Sequence, residues 1–247
     1  HYLRDAEHSG ATTTGALIFF SGENCWREME GWDPENQSRP HTLYLAEGGS
    51  LTTAPSDISE AYSFYTSDPN DPVPYYPDMP WPRRKEYMTV GQEFLDGRHD
   101  VLTFLSPRLE NDMAVIGPID VTLHAAISTT DADFVVKIID VGPDGEYEMM
   151  VRGDIMRGRY RNGFSSPEAF TPGKVERITL MLPDVAHTFM AGHRIKVQIQ
   201  STWFPLFDRN PQQMIDTYTC TKEDFVPCDV KIYHDAERQS SCLLYTS

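Results

Sequence analysis

The sequence predicts an all-β protein, a β-sandwich of jelly-roll type. At least eight short β-like runs follow residue 40, each closed by Gly, Pro or Asp turn signals. Several of these runs alternate apolar and polar residues, the pattern of a strand with one face in a core. Helix–strand alternation is absent over the same stretch, which excludes a doubly wound parallel sheet there. No internal repeat is visible, which argues against a propeller.

His1–Gly10 reads as the tail of a helix ending at a glycine cap. Ala16–Phe20 is a short apolar strand closed by Ser21–Gly22. Gly31–Pro40 has linker composition and marks a domain boundary. Thr42–Ala46 and Asp100–Leu105 are strands. Asp120–Ser128 alternates, with Val121, Leu123, Ala125 and Ile127 on one face. Phe134–Val141 and Tyr147–Met156 flank the turn Pro143–Asp144–Gly145 and form a hairpin. Val175–Leu182 alternates and is broken by Pro183–Asp184. In Arg194–Ser201, Ile195, Val197 and Ile199 face inward, while Arg194, Lys196, Gln198 and Gln200 face outward. Val230–His234 is the last strand. Asp57–Tyr87 is rich in both proline and aromatic residues. It is too apolar for a disordered linker and too proline-rich for a sheet interior, so we expect an ordered loop packed on a neighbouring surface.

Length and composition narrow the function classes. The 247 residues, 40% hydrophobic and 11% aromatic, suffice for one large all-β domain or one domain and a fragment of another. With 21 basic against 37 acidic residues, net charge −16, no basic stripe exists to neutralise nucleic-acid phosphate. The longest apolar run, Ala16–Phe20, falls far short of the roughly 20 residues that cross a bilayer as a helix. The chain opens on His1 rather than Met, inside what reads as a helix end. We therefore expect a fragment whose start, with any targeting signal, lies outside it.

No residue pattern here makes a complete catalytic or metal centre. G-x-S-x-G, the turn that exposes a hydrolase serine, does not occur. The histidines (His1, His8, His41, His99, His124, His187, His193 and His234) form no H-E-x-x-H and no i, i+2 pair, so surface or capping roles are expected of them. His187 and His193 bracket a turn. Asp131 and Asp133 have the spacing of a calcium-ligand pair but lack the surrounding carboxylates, so a capped loop is the expected role. Asp208 and Arg209 are placed for an ion pair in a loop that pins one end of the sandwich. Cys25, Cys220, Cys228 and Cys242 include no C-x-x-C. Cys220 and Cys228 flank a loop that could bring them together, though two ordinary thiols are preferred.

Several segments resemble a known family in order along the chain. FFSGENCWREMEGWDP resembles the F-x-T-G-x-N-x-W-R segment of the cocaine esterase, X-Pro dipeptidyl-peptidase and α-amino-acid ester hydrolase family. YTSDPNDPVPYY, FLDGRHDVLTF, DADFVVKIIDVGPDG, MRGRYRNG, MAGHRIKVQIQSTWFPLFDRNP and KIYHDAERQS are similar to further motifs of that family. FPLFDRNP and RRKEYM are most similar to its ester hydrolase and acylase branches. The resemblance implies a serine hydrolase of esters or amides in which a serine attacks the carbonyl, assisted by histidine and aspartate. It implies that all three catalytic residues lie upstream, so this chain holds none and is expected to be inactive alone.

The resemblance also implies an architecture. Residues 1–35 would be the end of an α/β-hydrolase domain, and 36–241 a galactose-binding-like jelly roll. Residues 242–247 depart from the family pattern, and a final strand is expected to be lost or altered there. A loop after D-P-x-x-P-V-P reaches the hydrolase pocket in the family, which implies substrate contacts for Tyr75, Tyr76, Met79 and Trp81. No cofactor and no metal is implied. The implied partners are a small ester or amide and further copies of the chain, without nucleic acid or membrane. Relatives suggest a periplasmic or secreted location. The alternative is a free-standing jelly roll that binds carbohydrate or another ligand.

Overall fold

The structure, a computed structural model, describes residues 15–78 and 84–246. The expected helix end at His1–Gly10 lies outside these residues. Thirteen strands follow one another: β1 Ala16–Phe20, β2 Cys25–Met29, β3 Arg39–Ala46, β4 Ser50–Thr52, β5 Tyr62–Ser67, β6 Leu102–Leu105 and β7 Met113–Ile127. The second half holds β8 Asp133–Val141, β9 Glu148–Arg157, β10 Glu176–Phe189, β11 Arg194–Gln200, β12 Cys228–Tyr233 and β13 Ser241–Thr246. One short helix, α1 Pro34–Gln37, precedes β3.

β1 and β2 form an antiparallel hairpin of their own. The other strands make one sheet in the order β5-β12-β7-β13-β3-β4-β6-β11-β8-β9, with β10 paired to β7. Every pairing is antiparallel except β4 with β6. The long β7 organises one half. Along one edge it pairs with β12 near its end and with β13 further back, and its other edge carries β10. The opposite half is β6, β11, β8 and β9. Val121 and Leu123 of β7, Phe134 and Val136 of β8, and Ile195 and Val197 of β11 belong to one buried cluster. The sheet therefore folds over, and its halves face each other across a single core. The β8–β9 hairpin is as the Pro143–Asp144–Gly145 turn predicts, and the inward set Val121, Leu123, Ala125 and Ile127 is as the alternation predicts.

Three elements differ from the sequence reading for identifiable reasons. Pro183–Asp184 does not end β10. The pair occupies a bulge between Leu182 and Val185, and a bulge tolerates a residue with no N–H to give the ladder. Asp184 there accepts the Trp32 indole N–H at 2.7 Å and an Arg152 N–H on its carbonyl at 2.6 Å. Second, Lys196, Gln198 and Gln200 of β11 face away from the main core yet are buried. Tyr75, Val135, Met150 and Trp203 make a second apolar cluster, with Tyr76, Tyr87 and Leu206 packed on it, while Gln92 and Asp96 reach Lys137 and Lys196. Third, Ser241–Thr246, where a strand was expected to be lost or altered, is strand β13. It sits between β3 and β7 with Cys242 and Leu244 buried.

Within Gly31–Pro40, α1 rests on β7 through the buried Pro34. Gly117 of β7 has φ +91°, and a Cβ there would lie 2.6 Å from the Pro34 side chain, so glycine lets α1 close onto β7. All four cysteines are free thiols, and Cys228 is buried with its Sγ 3.0 Å from Thr129 Oγ1.

Candidate functional site

The loop that the resemblance connects with substrate is held at two feet. Tyr75 N–H donates to the Phe204 carbonyl at 2.9 Å, Phe204 N–H donates to the Val73 carbonyl at 3.0 Å, and Val73 N–H donates to Thr202 Oγ1 at 2.7 Å. The Tyr75 hydroxyl then accepts the backbone N–H of Arg84 at 2.7 Å. One side chain thus ties both ends of the stretch between them. Tyr75 is only 1% exposed, its ring 5.9 Å from Tyr87 and 6.1 Å from Tyr76. Tyr76 is half-buried beside it. Met79 and Trp81 lie outside the described residues.

An amine sits beneath this aromatic layer. Lys137 of β8 is fully buried, its Nζ donating to Gln92 Oε1 at 3.0 Å and lying 5.1 Å from the centre of the Trp203 ring. No carboxylate pairs with it among the described residues, and burial pushes its pKa from the ordinary lysine value of 10.5 down to about 7. The neighbouring Lys196 differs, because it pairs with Glu148 and Asp96.

Asp131 and Asp133 act as anchors. Arg159 grips Asp131 through its Nε at 2.6 Å and its backbone N–H at 3.0 Å. Asn210 Nδ2 bridges the two carboxylates at 2.9 and 2.7 Å. Arg157 spans Asp133 and Asp208. Burial outweighs these partners at Asp133 and pushes its carboxyl up to about 6. The pair thus binds guanidinium and amide donors. Among the described residues no group of three or more His, Cys, Asp or Glu side chains is placed to hold a metal ion. The suggested Asp208–Arg209 ion pair is absent. Arg209 instead donates to the Pro69 carbonyl at 2.7 Å and lies over the Phe204 and Phe225 rings, which leaves Asp208 to Arg157.

One constellation was not anticipated. Ser21 Oγ lies 2.9 Å from His187 Nδ1, His187 Nε2 lies 3.1 Å from Asp140 Oδ2, and His193 Nδ1 lies 2.8 Å from Asp140 Oδ1. His187 is fully buried in β10, so it has no surface role. With the proton on Nε2, His187 donates to Asp140 and its Nδ1 can accept from Ser21, whose hydroxyl also lies 3.3 Å from the Ala186 carbonyl. These are the residue types of a hydrolytic triad, with the two ring nitrogens exchanged relative to the chymotrypsin arrangement. Around Ser21, however, the backbone is fastened to β10. Its N–H donates to the Ala186 carbonyl at 3.1 Å, and its carbonyl accepts Thr188 N–H at 2.8 Å. A Cβ on the next residue, Gly22, would lie 2.0 Å from the Thr188 oxygen. Ser21, Asp140 and the His187/His193 pair come from three separate stretches of the sequence, so no local pattern signals their meeting.

The family described as the X-Pro dipeptidyl-peptidase C-terminal non-catalytic domain matches residues 4–243. The chain belongs to this family. It is 30% identical over 217 residues to cocaine esterase from Rhodococcus sp. (strain MB1 Bresler), covering 85% of this chain and 38% of that protein. Among solved structures, an aminopeptidase from a marine sediment Thaumarchaeota archaeon superposes with a TM-score of 0.88 at 36% identity, covering 93% of this chain and 40% of that one. An α-amino acid ester hydrolase superposes with a TM-score of 0.86 at 36% identity, covering 94% and 41%. The chain therefore spans about two-fifths of the length of these relatives. In a non-catalytic C-terminal domain, the Ser21–His187–Asp140 chain reads as a clasp fixing the β1–β2 hairpin to β10 and β8.

Proposed function

We propose that this domain is the C-terminal part of a serine hydrolase of esters or amides, and that it shapes and caps an active site whose catalytic residues lie in the preceding part of the parent protein. In this reading residues 36–241 are a galactose-binding-like jelly roll, and residues 1–35 are the end of an α/β-hydrolase domain. The family match along nearly the whole chain carries the proposal. The hydrogen bond from the Arg84 N–H to the Tyr75 hydroxyl supports it structurally, because it holds the two described ends of the loop together. Tyr76, Met79 and Trp81 are the residues proposed to meet substrate, with Tyr75 as their anchor. Copies of the parent are proposed to assemble as a homo-oligomer.

The test uses the full-length parent with p-nitrophenyl esters, amino-acid methyl esters, acyl amides and X-Pro substrates. Tyr76→Ala and Trp81→Ala should raise KM or change acyl preference while the fold is retained. Unchanged kinetics across all four substrate classes would remove the capping role.

A further inference from the structure

Among the described residues, three strands of the main sheet have a strand partner on one side only: β5 and β9 at the ends of its strand order, and β10, which pairs with β7. An open edge offers N–H and C=O groups to any extended chain, and proteins guard such edges with charges, prolines and bulges. β9 carries Glu148, Arg152, Asp154 and Arg157 and a register shift against β8. β10 carries Glu176, Arg177, Pro183 and Asp184 and its own bulge. β5 has none of these devices. Its six residues, Tyr-Ser-Phe-Tyr-Thr-Ser, include no charge and no proline, and its register is unbroken.

The ladder shows which groups of β5 are free. His234 N–H donates to the Ala61 carbonyl at 3.0 Å, so the backbone groups of Ala61 face β12, and those of Ser63, Tyr65 and Ser67 follow by alternation. The N–H and C=O of Tyr62, Phe64 and Thr66 therefore point off the sheet. Tyr65 packs in the core, whereas the Tyr62 and Phe64 side chains, on the other face, are 48% and 50% exposed.

We propose that β5 pairs antiparallel with β5 of a second copy, across a twofold axis beside Ser63, so that the sheet continues from one copy into the other. Such an axis sets Tyr62 opposite the partner's Phe64 and Phe64 opposite the partner's Tyr62. Each pair exchanges two backbone hydrogen bonds, because all four residues carry their free groups on this edge. Each is also an aromatic cross-strand pair, which favours association. Moving the axis to Phe64 would set Glu60 against the partner's Asp68, two like charges; beside Ser63, Glu60 meets Thr66 instead. Two copies of net charge −16 repel over most of their surface. They can meet at β5, which is uncharged and has Lys231 Nζ 4.4 Å from the Tyr62 ring centre. This pairing gives a surface to the homo-oligomer proposed above and rests on that reading.

The test is sedimentation velocity of the full-length parent beside its Phe64→Lys and Tyr62→Lys variants. The parent should self-associate, and each variant should raise the Kd of one dimeric contact at least about tenfold, with circular dichroism unchanged. Register is read by oxidation in a Cys25→Ser background, since that thiol is exposed. Tyr62→Cys with Phe64→Cys should give a covalent dimer, and Tyr62→Cys with Thr66→Cys should not. Assembly unchanged in both lysine variants overturns the proposal and leaves the homo-oligomer reading standing. A parent that stays monomeric at about 100 μM overturns both. A monomeric parent with slow hydrogen exchange at Tyr62, Phe64 and Thr66 would assign the edge to the parent's own preceding part instead.

Discussion

The Ser21 hydroxyl lies 2.9 Å from Nδ1 of His187, whose other ring nitrogen meets Asp140. This joins the β1–β2 hairpin to a strand 166 residues further along the chain. An isolated two-stranded hairpin is marginal in water, so attachment of this kind matters to it. Ser21→Ala leaves the buried His187 acceptor without its donor. We expect a loss of about 1–3 kcal/mol in urea unfolding. Combined with His187→Phe, the double variant should lose clearly less than the sum of the single ones, because the two residues act as one contact.

Tyr75→Phe keeps the ring but removes the hydroxyl that accepts the Arg84 N–H. The expected cost to global stability is about 1 kcal/mol. The more telling change is local. Hydrogen exchange at the Arg84 amide should accelerate, while exchange in β8 and β11 stays as it was.

Lys137 makes stability depend on pH in a definite direction. Its pKa is about 7 in the fold against an ordinary 10.5. Between these values the unfolded chain holds a proton that the native chain has released, so stability rises with pH. Below pH 7 the native state carries the cost of a buried charge. Between about pH 7 and pH 8.5, before unfolded cysteine and tyrosine ionise, unfolding free energy should climb. Lys137→Met should be more stable at pH 6 and should flatten that climb.

Asn210 joins the two parts of the acidic network, since one amide nitrogen reaches both Asp131 and Asp133. Asn210→Leu removes that donor from two buried carboxylates. We expect a destabilisation of about 2–3 kcal/mol, and Asn210→Asp should be worse because it adds a like charge. Equilibrium urea unfolding measures both.

Where burial was one-sided, the sequence was a sufficient guide. Val121, Leu123, Ala125 and Ile127 alternate because β7 has a single core face along that stretch, and the β8–β9 turn carries its Pro-Asp-Gly signature. β11 misled because alternation reports polarity rather than exposure. Lys196, Gln198 and Gln200 are polar, yet they are buried, on a sheet half whose second face carries its own apolar cluster around Tyr75, Val135, Met150 and Trp203. β5, inside the proline-rich stretch, is an edge strand paired only with β12, where neighbouring prolines interrupt no interior ladder. The motifs identified the family because they are long and ordered. The Ser21–His187–Asp140 clasp stayed invisible because it depends on β8, β10 and the residue after β1 meeting in space.

The central claim is that this domain is non-catalytic and serves a hydrolase from outside its reacting centre. It is tested most directly by assaying the purified chain, beside its Ser21→Ala variant, for release of p-nitrophenol from short-chain p-nitrophenyl esters. The account predicts rates equal to the buffer background for both proteins, with turnover only in the full-length parent. Turnover by the chain that disappears in Ser21→Ala would show Ser21 acting as a nucleophile and contradict the account.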